Sequence, residues 1–321
     1  MCTAVADRGL FGRTLDLEYS YGEEIVITPR SYRFEFSDKT ATDKHYEIIG
    51  VAHVSSNTPL YYDGINEAGL GAAALNFPEY AVYHPHKRGQ YNIASFELIP
   101  WILSQCDSVD SAQTLLQNVN ITADSFSEEL KPTPLHWIIA DKTRAIIVES
   151  TADGMQIYEN QLGVMTNSPS FPFHLAKTAE YMHLDSNPPT NTLAPSIELE
   201  LYSRGMGAIG LPGDYSSSSR FVRTVFAKNH TTGYENKDDQ ISRFFHIMDT
   251  VSVPKGCVKT DEGKDVYTVY TSCGDLSSGR YFYTTYGCRR IIGVDLHGFD
   301  LEDEALYRVK MENHEDILLK K

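Results

Sequence analysis

Basic residues are scarce in this chain. Its 321 residues carry 28 Lys and Arg against 43 Asp and Glu, a formal net charge of −15. Nucleic-acid binding needs a basic footprint, so no nucleic acid is expected as a partner. An anionic substrate would need local cations to overcome the general field. Cysteine is sparse: Cys2, Cys106, Cys257, Cys273 and Cys288. Their number is odd and their spacings match no CxxC metal or redox pattern. No HExxH occurs, and His84-Pro85-His86 stands in a polar stretch, so the histidines read as solvated or core residues rather than metal ligands. Gly205-Met206-Gly207 does not open a helix after a strand, so it lacks the context of a phosphate cradle. The start of the chain has no basic segment followed by an apolar one, and no apolar run is long enough to span a bilayer. The expectation is a cytoplasmic protein without membrane insertion, its cysteines kept as thiols.

What the sequence does have begins at its first line, Met1-Cys2-Thr3. Cys2 has a small side chain, so Met1 is expected to be removed. One residue would then carry both a thiol and a free α-amine. The thiolate is the nucleophilic form of cysteine, and an α-amine with a pKa near ~8 takes a proton at physiological pH. Nucleophile and base on one residue make the N-terminal variant of an activated nucleophile. Cys2 to Ala6 reads as a strand, Asp7-Arg8-Gly9 as a turn, and Leu10 to Leu17 as the returning strand. That hairpin brings Thr14 to Asp16 back to Cys2. Asp16 is then placed to hold the amine and Arg13 to favour the thiolate. The two differ in parity, so an ideal strand points them to opposite faces. Either a bulge intervenes or the long Arg13 side chain curls round the edge.

Along the rest of the chain, Glu24 to Pro29, Tyr46 to Val54 and Leu70 to Phe77 read as strands, with a polar stretch at 37–44. Tyr61-Tyr62 leads into Asp63 to Gly69, which reads as a turn. Ala94 to Gln105 has helical periodicity despite Pro100, and Ser108 is a candidate cap for a second helix. Residues 121–133 read as a polar loop carrying Phe126 and Leu130, which either line a pocket or tuck in as a surface loop's own hydrophobes. Glu128-Glu129 in that loop reads as solvated. Strands follow at Leu135 to Ala140, Ala145 to Glu149, Met155 to Tyr158 and Gly163 to Asn167. Helices follow at Phe173 to Leu184, from Ser216–Ser219 onward, and at Ile241 to Val251, with a long loop over 185–195. Tyr267 to Cys273, Arg280 to Tyr286 and Arg290 to Val294 read as an antiparallel meander. The order lacks strict βαβ alternation, so antiparallel sheets with helices packed outside fit best. Neither a composition break nor a repeat divides the chain, and a single domain over 1–321 is expected. A Cys–His pair such as Cys106 with His136 stays open, although nothing local supports it.

Several motifs occur in one order: Met1-Cys2-Thr3, Phe11-Gly12-Arg13-Thr14-Leu15-Asp16, Ala74-Leu75-Asn76-Phe77-Pro78, Leu135-His136-Trp137, Thr166-Asn167-Ser168-Pro169, Gly210-Leu211-Pro212-Gly213-Asp214 and Ser219-Arg220-Phe221. Together they resemble the choloylglycine hydrolase family, which includes bile salt hydrolases and penicillin V acylases, nearly end to end. The resemblance implies an α+β, four-layer αββα sandwich of the N-terminal-nucleophile hydrolase kind. It implies Cys2 as nucleophile with its amine as base, flanked by Arg13 and Asp16. It implies Asn167 and the Asn76 backbone as oxyanion donors, and Arg220 as an orienting group. Leu15, Tyr62, Phe126, Leu130 and Leu135 fall in segments that line the family's steroid pocket. Asn76 looks like the bile salt branch, whose substrates are glycine- or taurine-conjugated bile salts. An acylase for penicillin V or N-acyl homoserine lactones on the same machinery is the nearer alternative, and a non-catalytic binder of amphipathic ligands the more distant one. No metal or organic cofactor is implied, and the resemblance suggests a homotetramer.

Overall fold

The structure is a computed structural model that describes residues 1–37, 41, 42 and 44–320. In chain order it begins with the strands β1 (Cys2–Asp7), β2 (Leu10–Leu17) and β3 (Glu24–Thr28), then the short pair β4 (Phe34–Glu35) and β5 (Ala41–Thr42). Next come β6 (Ile48–Ser55), β7 (Thr58–Asn66), β8 (Gly71–Asn76) and β9 (Tyr91–Ala94), then the helices α1 (Leu98–Gln105) and α2 (Val109–Leu116). The strands β10 (Val119–Thr122), β11 (Leu135–Ala140), β12 (Ala145–Thr151), β13 (Gly154–Glu159) and β14 (Val164–Met165) lead to α3 (Phe171–Thr178), α4 (Ser217–His230) and α5 (Lys237–Asp249). The chain closes with β15 (Val258–Lys259), β16 (Asp265–Asp275), β17 (Arg280–Thr285), β18 (Cys288–Asp295) and β19 (Tyr307–Lys310).

Among the described residues the strands build two large sheets. One has seven strands in the order β14-β1-β2-β16-β17-β18, with β15 beside β16; the other has eight in the order β13-β12-β11-β8-β7-β6-β3-β19. All their pairings are antiparallel. Helices α1 and α2 cover the outer face of the eight-stranded sheet, where Trp101, Ile102 and Leu103 pack with Ile48, Ala72 and Ile146. Helices α4 and α5 cover the seven-stranded sheet, and Phe221, Phe244 and Met248 join a core that also fills the space between the sheets. Each large side chain buried this way contributes about 1.5–3 kcal/mol. The expected four-layer αββα sandwich is therefore the observed architecture.

The first hairpin turns through Arg8 and Gly9, both at positive φ (51° and 79°), the geometry of a tight two-residue turn. Ser108 caps α2 by accepting from the Ser111 amide, and Ser216 does the same for α4 with Ser219. Several boundaries depart from the sequence reading, and α5 starts earlier than read, at Lys237. α1 starts at Leu98, because Tyr91–Ala94 pairs with Val119–Thr122 as parallel strands; Pro100 then sits in the first turn, where its missing N–H costs nothing. α3 starts earlier, with Pro172 in its first turn, and ends at Thr178 in a 3-10 turn. The stretch Asp63 to Asn66, read as a turn, is the second half of β7, and the turn is confined to residues 67–69. Part of the polar stretch at 37–44 lies outside the described residues.

Candidate active site

Strand β1 lies between β14 and β2; β2 pairs with Cys2 and Thr3, whereas β14 reaches only Ala4 and Val5 and leaves the Cys2 nitrogen to the Asn167 side chain. Cys2 is 2 % exposed and borders a cavity of about 240 Å³ between the two sheets. Register Cys2↔Leu15, Thr3↔Thr14 and Ala4↔Arg13 is unbroken along the hairpin. Arg13 and Leu15 border the cavity with Cys2. Thr14 and Asp16 turn to the opposite face, where Thr3 and Arg220 are. Parity therefore holds, and no bulge interrupts β2. Arg13 acts from within the sheet interface: Nη1 donates to the carbonyls of Tyr62 (3.1 Å) and Ala74 (2.5 Å), and Nε to its neighbour Thr14 O (3.1 Å).

Asn167, just beyond β14, is the hub of the site. Its Oδ1 accepts from the Cys2 backbone nitrogen (2.8 Å) and from Arg220 Nη2 (2.7 Å), while its Nδ2 donates to Asn76 O (2.7 Å). Two donors on one side and a carbonyl on the other fix the amide's orientation. Nδ2 has a second hydrogen still to place. Arg220, fully buried in the first turn of α4, donates through Nη1 to Cys2 O (2.5 Å) and Thr3 Oγ1 (2.7 Å), and through Nε to Tyr215 O (3.0 Å). The Asn167 main chain is held in turn: its N–H donates to Ser217 Oγ (2.9 Å), and its carbonyl lies 2.8 Å from His174 Nε2. Burial lowers the His174 pKa, so the neutral ring donates to that carbonyl.

Asp16 is buried, and its carboxylate accepts from Thr268 (2.7 Å) and Thr14 (3.1 Å) hydroxyls. With Met1 in place, it is the Asp16 carbonyl that accepts from the terminal amine (2.7 Å). Burial opposes the charges of both arginines. For Arg13 the neighbouring Cys2, Tyr270, Asp63 and Asp16 outweigh it, and the pKa lies above its ordinary value. For Arg220 burial wins over Asp16 and Cys2, and the pKa lies below.

Leu15, Tyr62, Phe126, Leu130 and Leu135 all border the cavity, and Phe126 crosses Phe96 edge-on at 5.6 Å. The cavity therefore takes the 121–133 loop as a wall, as the pocket alternative expected. Cys106 and His136 do not meet. Cys106 lies in the outer core with its thiol pushed up to about 11 by burial, whereas His136 Nε2 is 2.8 Å from Thr166 O. Sequence reading missed Thr268, Ser217, His174 and Asp63. Each acts through a partner on a distant strand or helix, and no local motif marks it.

The family model for linear amide C–N hydrolases, choloylglycine hydrolase family, matches residues 2–313. The chain belongs to the choloylglycine hydrolase family. It is 42% identical to a bile salt hydrolase/transferase of Lactiplantibacillus plantarum, over 95% of each chain. Its structure superposes on that of a mutant conjugated bile acid hydrolase from Clostridium perfringens with a TM-score of 0.92, at 33% identity over 100% of both chains. A penicillin V acylase from Agrobacterium tumefaciens shares the fold, with a TM-score of 0.76 at 23% identity over 97% of this chain and 91% of that one. Among the described residues no helix is long and apolar enough to cross a membrane.

Proposed function

We propose that this chain hydrolyses the amide bond of glycine- or taurine-conjugated bile salts, with Cys2 as nucleophile after loss of Met1. The observation that carries the reading is the position of the Cys2 nitrogen. It is buried, it lies 2.8 Å from Asn167 Oδ1, and the side chain of the same residue borders a cavity that Arg13 also borders. Once Met1 is gone that nitrogen is an α-amine, held at Asn167 and within one residue of the thiol. The Cys2 thiolate attacks the acyl carbon. The oxyanion is stabilised by the remaining Asn167 Nδ2 hydrogen and the Asn76 backbone amide. The α-amine delivers the thiol proton to the leaving amino acid, and the acyl group remains on sulfur as a thioester. Water then attacks the thioester, loses its proton to the amine, and releases the bile acid and the thiol. Leu15, Tyr62, Phe126, Leu130 and Leu135 supply the apolar wall for the sterol, at roughly 25 cal/mol per Å² buried. The named relatives from Lactiplantibacillus plantarum and Clostridium perfringens support this substrate class.

Side-by-side kcat/KM values on taurocholate, glycocholate and penicillin V test the proposal. A clear preference for the conjugated bile salts is expected, and a preference for penicillin V ends it. Cys2→Ala should abolish turnover, and Cys2→Ser should impair it severely because a hydroxyl ionises far less readily. Assembly as a homotetramer is part of the same reading. The segment carrying Leu193, Ile197, Leu199, Leu201 and Tyr202 is exposed along its length, an apolar strip that a second copy would cover. Sedimentation of the purified protein decides it, and a monomer would refute it. The proposed location is the cytoplasm, which suits five unpaired cysteines.

A further inference from the structure

Each large sheet carries a β-bulge in the strand that supplies part of the Asp63 cluster. In the eight-stranded sheet the register jumps from Val51↔Asp63 to Ala52↔Tyr61, so Tyr62 is the extra residue of β7. In the seven-stranded sheet it jumps from Thr268↔Asp16 to Tyr270↔Leu15, so Val269 is the extra residue of β16. A bulge breaks the alternation of faces. Tyr62 and Asp63, although consecutive, therefore both turn toward the space between the sheets, and so do Val269 and Tyr270. Asp63 is fully buried there. Its Oδ1 accepts from the Tyr270 hydroxyl (2.6 Å), and its Oδ2 from the hydroxyls of Ser272 (2.8 Å) and Tyr281. All three donors belong to the opposite sheet. Ser272 also accepts the Arg13 backbone N–H (3.1 Å), so its own hydrogen is free for Asp63.

Three hydroxyl donors and no acceptor describe an ionised carboxylate. Burial holds the Asp63 pKa above its ordinary value, and Arg13 with the three hydroxyls opposes that rise without cancelling it. The carboxylate's nearby cation is Arg13, whose carbonyl partners Tyr62 and Ala74 belong to Asp63's own sheet. Arg13 thus stands between two groups that compete for its charge: the Cys2 thiol at the cavity and Asp63 behind it.

We propose that Asp63 is a positioning residue for the proposed reaction: its carboxylate, spread over three hydroxyls from the facing sheet, sets how much of the Arg13 charge is left to the Cys2 thiolate. The hydroxyls take up negative charge that would otherwise fall on Arg13, and the residual field decides the thiolate population at a given pH. The same cluster pins the two sheets to each other at the point where Arg13 crosses between them. The inference rests on the reading of Cys2 as the nucleophile.

Alkylation of Cys2 by iodoacetamide as a function of pH tests it without substrate. In the wild-type protein, loss of hydrolysis should track modification of Cys2 alone; if it does not, the nucleophile reading fails and the Asp63 inference has no object. Asp63→Asn removes the competing charge and keeps the shape. Its alkylation midpoint should move to lower pH by about one unit, with the acid limb of kcat/KM moving the same way. Tyr281→Phe keeps the charge and removes one donor, with Tyr270 and Ser272 still holding the carboxylate ionised. Its midpoint should move the other way, up by about 0.3 unit. Opposite signs are the signature. A purely structural role moves both midpoints together or neither, and either result overturns the proposal. Should Asp63→Asn fail to fold, a Tyr281→Phe midpoint at or below the wild-type value overturns it alone.

Discussion

The first hairpin buries one arginine on each of its faces, and the two are held by different means. On the cavity face Arg13 is surrounded by groups that carry or can carry negative charge, Cys2, Tyr270 and Asp63, with a smaller contribution from Asp16 on the other face. On the helix face Arg220 is held by carbonyls, a hydroxyl and a side-chain amide, all of them neutral acceptors. Burial dominates on the second face and loses on the first. The difference separates two jobs. On the proposed mechanism Arg13 supplies charge, and Arg220 supplies geometry by fixing Cys2 O and Asn167 Oδ1 with one rigid fork.

Replacing each arginine by lysine should break the symmetry between the faces, because lysine keeps the charge and loses the fork. Arg220→Lys is expected to be the more damaging change. It takes the Arg220 donors from the buried acceptors on Thr3 and Tyr215 and leaves Asn167 Oδ1 with the Cys2 nitrogen alone, and should lower kcat/KM by about 10³-fold and stability by about 3 kcal/mol. Arg13→Lys retains the cation beside Cys2 and should cost about 10- to 10²-fold in kcat/KM. Steady-state kinetics with urea unfolding reads both; the reverse order would refute the division of roles. Phe126→Ala, at the cavity wall, should raise KM for conjugated bile salts about tenfold with kcat little changed, since a lost aromatic wall is worth about 1–2 kcal/mol of binding.

The smallest effect on activity is expected at Glu47, a carboxyl far outside this comparison. It is fully buried, and neither oxygen has a hydrogen-bond partner. Burial first, and then the charge of Glu67, pushes its pKa up to about 8, with Arg30 opposing. A pKa raised in the folded state means that the stability contribution is complete below the unfolded carboxylate value. It is lost as pH rises through about 8. Glu47→Gln should leave kcat/KM unchanged. It should match the wild type at pH 4 and exceed it at pH 9 by about 2 kcal/mol in thermal or urea unfolding. Equal stabilities at pH 9 would show that the Glu47 carboxyl is not held neutral by the fold.

The hairpin, the caps of α2 and α4 and the C-terminal meander were legible because each rests on local chemistry, whereas the stacking of two sheets in four layers came from the resemblance. The parity conflict between Arg13 and Asp16 was legible too, and the structure resolves it by using both faces. What stayed hidden was β7. Residues Asp63-Gly64 look like a turn, yet Gly64 is there because the neighbouring strand comes close: a Cβ on the opposing Gly50 would lie 2.1 Å from Asp63 O and 2.6 Å from the Gly64 Cα. The bulge at Tyr62 broke the alternation that would have marked a strand. Strand β19 was missed for a related reason: it is short, and among the described residues its strand partner is β3, at the other end of the chain. Asn76, Asn167 and Arg220 are brought together over 91 and 53 residues of sequence separation. No spacing rule joins them, and only the resemblance singled them out in advance.

The account stands on a free amino-terminal cysteine that carries the acyl group. Intact mass of the purified, active protein, taken before and after mixing with glycocholate and quenching in acid, tests this most directly. The expected result is a chain lacking one methionine that gains the mass of the cholyl group, mapped to Cys2. Retained Met1 in a protein that turns over normally, or an acyl group found on another residue, would contradict it.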